Sequence, residues 1–258
     1  MRLDSLCFLS LLLPVVGVAD VVFSDDNLTL SNYSATAVYN SPGVSSNYFN
    51  CPSCGFMGIA GLQQVVMTPP NAMCPSCVGG EVFFGLTNNT FVYNPQTQGA
   101  IDSLGASVNE SVSFDRTPAG GFTYTFWPLI EQGGNYYTNE LFGSSFGAPD
   151  TTAGYQNISQ SGMQSTDFFQ VDFPSMSFLP NSPDFSATAL PLIFGLAPIV
   201  VTNDSFTVTA NYSNLSFEIV PDAVTTPEPA TLVPLGFLAL CLFLCGFRRV
   251  FHVRLDRG

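Results

Sequence analysis

The chain predicts an all-β fold: residues 20–222 read as an antiparallel β-sandwich of the jelly-roll kind, with an immunoglobulin-like sandwich as second choice. Three observations carry this. No convincing helical stretch lies between the two ends of the chain. Apolar residues instead alternate in short runs separated by Gly, Pro, Asn and Ser, which is the period-2 pattern of half-buried strands. Many such runs at close spacing, together with 24 phenylalanines, favour two antiparallel sheets packed face to face.

From the N-terminus, residues 1–19 carry Arg2, an apolar stretch over 6–16, and Gly17-Val18-Ala19 ahead of Asp20. That order predicts a secretory signal peptide cleaved after Ala19. Strands are expected at 81–86, 90–93 and 107–114. Next, Phe122, Tyr124 and Phe126 fall on one face, with Thr123, Thr125 and Trp127 on the other. The stretch 133–162 is rich in Gly, Ser, Asn and Thr and reads as long loops. Further strands are expected at 168–173 and 198–202. Residues 205–220 read as a hairpin: Phe206, Val208 and Ala210 alternate, Tyr212-Ser213-Asn214 supplies a turn, and Leu215, Phe217 and Ile219 alternate again. The rhythm of residues 90–112 is similar to one edge of jelly rolls and resembles the concanavalin-like and laminin-G-like domains of secreted bacterial proteins.

Seven cysteines divide by location. Cys7 leaves with the signal peptide, and Cys241 and Cys245 sit in an apolar run near the C-terminus. The body keeps Cys51-Pro52-Ser53-Cys54 and Cys74-Pro75-Ser76-Cys77. An exported chain passes through an oxidising compartment, so the first reading is two disulfides clipping an Ω-like loop, 50–78, with the connectivity open. The second is a four-thiolate zinc site, because residues 51–55 resemble a zinc-ribbon knuckle. A redox pair is the third; it needs a thiolate stabilised by a helix N-terminus or a cation, and neither neighbourhood offers one.

Charge and residue inventory exclude several chemistries. Between residues 20 and 226 there are sixteen acidic residues, one arginine (Arg116) and no lysine. Such a surface repels nucleic acid and anionic lipid. Gly143-Ser144-Ser145-Phe146-Gly147 matches a nucleophile elbow, but the one histidine, His252, lies in the C-terminal tail, so no base is available. Glycoside hydrolysis needs only two carboxylates, and Glu81, Glu110, Glu131, Glu140 and Glu218 are candidates without a closely spaced pattern. Ser24-Asp25-Asp26-Asn27 offers oxygen ligands for calcium, though such residues also form solvated turns. Trp127, Tyr136 and Tyr137 are the aromatics best placed in sequence to stack on sugar rings. Eight Asn-x-Ser/Thr triplets, one of them starting at Asn88, add neutral polar surface.

The C-terminus combines Pro227-Glu228-Pro229, an apolar run over 230–247, and Arg248-Arg249 with a basic tail. The proline pair stiffens an extended segment; the run approaches the roughly 17 to 25 residues that span a bilayer core; the arginines hold that flank in the cytoplasm. In this order the three elements at 223–258 resemble the PEP-CTERM sorting signal of Gram-negative, biofilm-forming bacteria. The resemblance implies recognition by exosortase, an integral-membrane transpeptidase-like enzyme that removes the helix. It also implies an inner-membrane-anchored precursor and a mature protein at the cell surface or in the extracellular matrix, often beside exopolysaccharide. It covers about the last 30 residues and says nothing of the body. The sequence therefore predicts a non-enzymatic surface protein with a structural, adhesive or glycan-binding role. The alternative is a secreted glycosidase-like enzyme on the same scaffold.

Overall fold

In the computed structural model the described residues are 19–40, 44–54, 61–67, 80–114, 122–139, 145–146, 154–202 and 207–222. Residues 1–18 of the expected signal peptide, Cys74 and Cys77, and the tail with Pro227, Glu228, Pro229, the run 230–247, Arg248 and Arg249 lie outside them. Among the described residues no helix is long and apolar enough to cross a membrane.

The strands follow in chain order. The first are β1 (Val21–Asp25), β2 (Tyr33–Asn40), β3 (Ser45–Cys51), β4 (Gly61–Met67) and β5 (Gly80–Tyr93). One helical turn, Pro95–Gln98, leads to β6 (Ile101–Phe114), β7 (Phe122–Gln132), β8 (Asn135–Thr138) and β9 (Ser145–Phe146). Then come β10 (Gln156–Met163), β11 (Phe169–Asp172), β12 (Ser177–Leu179), β13 (Leu192–Thr202) and β14 (Thr207–Pro221). The first sheet runs β10-β6-β14-β4-β3, with β1 also on β14; the second runs β12-β11-β8-β7-β13-β5-β2, with β9 on β7. Every pairing is antiparallel, as in β6–β14, β5–β13 and β7–β13.

The two sheets close on one core. Leu104, Ala106 and Val108 of β6 and Val208, Ala210, Leu215, Phe217 and Ile219 of β14 meet Val82, Leu86, Phe126, Ile130, Phe194, Leu196 and Val200 from the second sheet. Aromatic rings bridge the gap: Phe194 and Phe217 lie 5.2 Å apart between centroids, Phe126 and Tyr212 6.2 Å, and Tyr48 and Phe84 4.2 Å. Each such side chain stabilises the sandwich by about 1.5–3 kcal/mol through removal from water. The predicted antiparallel β-sandwich is the observed fold.

Several local expectations change. In place of the expected hairpin at 205–220, the described residues from Thr207 on form one continuous strand, β14. Both halves pair with β6, and the register shifts between Ser213 and Ser216. Asn214 takes the left-handed φ of 53° there, so the residues read as a turn form a β-bulge, and burial passes from even to odd positions across it. The separate strands at 81–86 and 90–93 are likewise one strand, β5, with a break in register against β13 between Ile193 and Gly195. Asn88 fills that break, fully buried, its Oδ1 accepting from Thr90 N at 2.9 Å and Thr90 Oγ1 at 2.7 Å. Its Asn-x-Thr triplet is therefore sealed from modification in the folded state. The region 133–162, read as loops, holds β8 and β10. Gly133 and Gly134, with φ of 61° and 82°, make the two-residue turn joining β7 to β8. The Ω-like excursion 50–78 contains β4, paired with both β3 and β14.

Candidate functional site

At one edge of the second sheet the chain folds back on itself. β11 and β12 pair through Val171 and Phe178, joined by a 3-10 turn, Phe173–Ser175, in which Pro174 sets the backbone. Met176 closes the turn at φ 50°. Phe173 is the anchor. It stacks on Phe83 at 4.7 Å and 15°, in space left by Gly85, where a Cβ would stand 2.9 Å from Phe173 Cζ. Tyr136 meets Phe173 edge-on at 5.5 Å. Leu129, Val171, Ala197 and Ile199 complete an apolar cluster on the sheet face turned away from the main core.

Beside this cluster lies an open groove of about 470 Å³. Gly134, Asn135 and Tyr136 form one side, and Gln170 to Pro174, Ser177 and Leu179 form the rest. Its polar groups are held in place before any ligand arrives. Gln170 Nε2 donates to Asn135 Oδ1 at 3.1 Å, and Asn181 Nδ2 donates to Gln170 Oε1 at 2.8 Å. Ser175 Oγ donates to Asp172, and the Ser175 and Ser177 hydroxyls lie 2.8 Å apart. A part-exposed tyrosine ring, Tyr136, with oriented amides and hydroxyls suits a neutral, polyhydroxylated ligand, which offers apolar ring faces and many hydrogen-bonding groups. Asp172 is the one carboxylate among the described residues that line the groove.

Of the three aromatics expected to contact sugar, Tyr136 lines the groove. Trp127 sits deeper in the neighbouring cluster, edge-on to Phe83 at 5.6 Å and to Phe178 at 5.9 Å, with its Nε1 buried and unpartnered. Tyr137 points the other way, into the main core, and is 7% exposed, which removes it from any ligand surface. Sequence reasoning missed Phe173, Gln170 and Ser177. They lie more than thirty residues beyond Tyr136 and meet it only because β11 pairs with β8.

The remaining candidates fall elsewhere. Cys51 ends β3 and Cys54 follows a Pro-Ser turn; both are free thiols. Cys54 Sγ donates to the Cys51 carbonyl at 3.7 Å. A hydrogen bond from the Cys54 thiol, with help from the Ser53 and Cys54 amides, holds the Cys51 thiol below its ordinary range, whereas burial and Cys51 push Cys54 up to about 12. No cluster of three or more His, Cys, Asp or Glu side chains suited to a metal occurs among the described residues. In the calcium candidate, Asp25 is engaged locally: Oδ1 accepts from Asn27 N at 3.3 Å and Oδ2 faces Asn88 Nδ2 at 3.5 Å. Glu110 points inward from β6, 4% exposed, with Oε2 unpartnered, and burial raises its carboxyl to about 8. Ser145 lies within β9, paired with Tyr124, while Gly143, Ser144 and Gly147 of the elbow motif lie outside the described residues.

No protein-family model matches this chain, and no curated protein does. Among solved structures, it is similar to the CBM22-1 xylan-binding domain of Paenibacillus barcinonensis Xyn10C, with a TM-score of 0.40 at 10% identity over 79% of this chain and 97% of that one. The family 11 carbohydrate-binding module of cellulosomal cellulase Lic26A-Cel5E from Clostridium thermocellum gives 0.38 at 8% identity over 80% and 96%. The mannan-recognising module TmCBM27 gives 0.38 at 10% identity over 78% and 98%. At that distance, the function of this chain rests on its own residues.

Proposed function

We propose that this protein binds a neutral glycan in the groove between β8, β11 and β12, as an exported jelly-roll module at the cell surface or in the extracellular matrix. The observation that carries the reading is the part-exposed Tyr136 ring, held edge-on by the buried Phe173, beside the amides of Asn135 and Gln170 and the hydroxyl of Ser177. The Tyr136 ring supplies a face for a sugar, and fixed neutral groups supply direction without attracting charge. The surplus of acids supports a neutral partner over an anionic one.

Binding is favoured over hydrolysis because a glycosidase needs two carboxylates about 5–9.5 Å apart across one bond, whereas Asp172 alone represents that group in the described lining. The buried Glu110 lies in the interior, not in the groove. The segment 1–19 supports export, and Pro227-Glu228-Pro229, the apolar run at 230–247 and Arg248-Arg249 support sorting through exosortase. Zinc and calcium have no part in this reading.

The test is retention of the purified chain on a panel of immobilised neutral polysaccharides, alongside an assay for reducing ends. Retention without turnover, weakened about tenfold or more by Tyr136→Ala, is the outcome this reading requires. Turnover abolished by a single Glu→Gln or Asp→Asn change would establish the enzyme instead. For sorting, Glu228→Ala should leave a membrane-bound precursor. A mature protein that still carries residues 232–247 would reduce the tail to a plain anchor.

A further inference from the structure

The pair Cys51 and Cys54 stands apart from the groove, on the first sheet. Its geometry is set by the strand ladder: Cys51 is the last residue of β3 and pairs with Gly61 of β4. Alternation along β3 sends Tyr48 inward to the core, which places Phe49, 41% exposed, and Cys51 on the outward face. Both cysteines are partly exposed thiols. Pro52 and Ser53 turn the chain so that Cys54 comes back over Cys51, its sulfur 3.7 Å from the Cys51 carbonyl. The two thiols are thus held on one two-residue turn at the end of β3.

We propose that Cys51 and Cys54 are a self-contained dithiol that closes into a local disulfide by exchange, with Cys51 as the attacking sulfur and Cys54 as the resolving one. Closure asks that the sulfurs meet across the two-residue turn at the roughly 2.05 Å of an S–S bond. Cys54 lies beyond the last paired residue of β3, so it is the partner outside the ladder. The roles follow from the surroundings of the two thiols. At the strand end, the Cys54 thiol and the amides of Ser53 and Cys54 hold the Cys51 thiol below its ordinary range, whereas burial pushes the Cys54 thiol up. Turn amides thus fill the part that a cation or helix N-terminus would play, and neither is present in the neighbouring sequence.

The exchange balances with an external protein or small-molecule disulfide as oxidant. The Cys51 thiolate attacks one sulfur of that disulfide, whose S–S bond breaks, and one thiolate leaves and takes a proton from solvent. Cys54 loses its proton to solvent and attacks the Cys51 sulfur of the mixed disulfide, releasing the second thiolate. The dithiol is oxidised by two electrons, and the external disulfide is reduced to two thiols. Closing a loop of two intervening residues restrains the unfolded chain little, so this bond is a reversible element more than a staple.

The test uses the purified full chain, incubated with oxidised glutathione, quenched with N-ethylmaleimide and digested without reduction. The peptide containing residues 51–54 should be unlabelled and lighter by two hydrogens, with no link to Cys74 or Cys77. Cys54→Ser should accumulate a glutathione adduct on Cys51, and Cys51→Ser should form adduct on Cys54 about tenfold more slowly. A bridge from Cys51 or Cys54 to Cys74 or Cys77, equal reactivity of the two serine variants, or one zinc bound per four thiols would each overturn the proposal.

Discussion

The outward faces of the two sheets are built oppositely. On the first sheet, β6 and its neighbours present a cross-strand ladder of small polar groups. Ser107 meets Ser216 at 2.8 Å, Asn157 donates to Asn109 at 2.9 Å, and Asn211 donates to Ser111 at 3.2 Å. On the second sheet the equivalent face carries Phe83, Leu129, Ala197 and Ile199, covered by Phe173 and Val171. The sequences record the difference. β14 alternates buried and part-exposed positions because one of its faces meets water, whereas β13, LIFGLAPIVVT, is almost uninterruptedly apolar because both of its faces are covered. The hairpin β11–β12 exists to cover that second face, and the groove is the rim it leaves.

The largest effect should come from the covered face. A Cβ at Gly195 would stand 1.9 Å from the Leu86 carbonyl oxygen, a backbone atom that cannot move aside. Gly195→Ala should therefore cost more than about 4 kcal/mol, read as loss of the cooperative urea transition or of soluble protein. Phe173→Ala is next. Removing the ring stacked on Phe83 should destabilise the chain by about 3–5 kcal/mol and speed hydrogen exchange in β11 and β12. If Phe173→Ala proved as mild as a surface change, the covering role of the hairpin would be lost.

Glu110 sharpens the comparison from inside, as a carboxyl on the inward face of the polar-backed sheet. Its folded value, about 8, lies well above that of an exposed glutamate, so in between the folded state binds a proton that the unfolded state has released. Stability from this group is complete below about pH 4 and is lost as pH rises through 8. Urea midpoints should fall between pH 5 and pH 8.5 by an amount worth a few kcal/mol, and Glu110→Gln should flatten that slope. An unchanged slope would mean that the carboxyl is solvated. The smallest effect belongs to the wet face: Ser107→Ala should cost no more than about 1 kcal/mol, because water replaces the lost partner. A larger loss there would erase the distinction between the faces.

The sandwich was legible because alternation is a one-dimensional signal. The inward run of Leu104, Ala106 and Val108 and that of Leu215, Phe217 and Ile219 show it directly in the residue order. What was not legible depends on partners. Ser213-Asn214 suits a turn or a bulge equally, since both accept a left-handed Asn; shared pairing with β6 decides for the bulge. The early strands β1 to β3, VVFSD, YSATAVYN and SSNYFNC, are polar at so many positions that their period is faint. Tyr136 was found as an aromatic of the right type, but Tyr137 beside it was equally attractive until the sheet assigned the two to opposite faces. Phe173, Gln170 and Ser177 had no local signal, because the groove is made by strands distant in sequence.

The most direct test of the glycan reading is hydrogen-exchange mass spectrometry of the full chain, with and without an oligosaccharide cut from a retained neutral polysaccharide. Glycan binding in the groove should slow exchange in peptides covering residues 134–138 and 170–179, and leave those covering 103–111 unchanged. Protection confined to the serine and asparagine ladder of the first sheet, or no protection at saturating oligosaccharide, would contradict it.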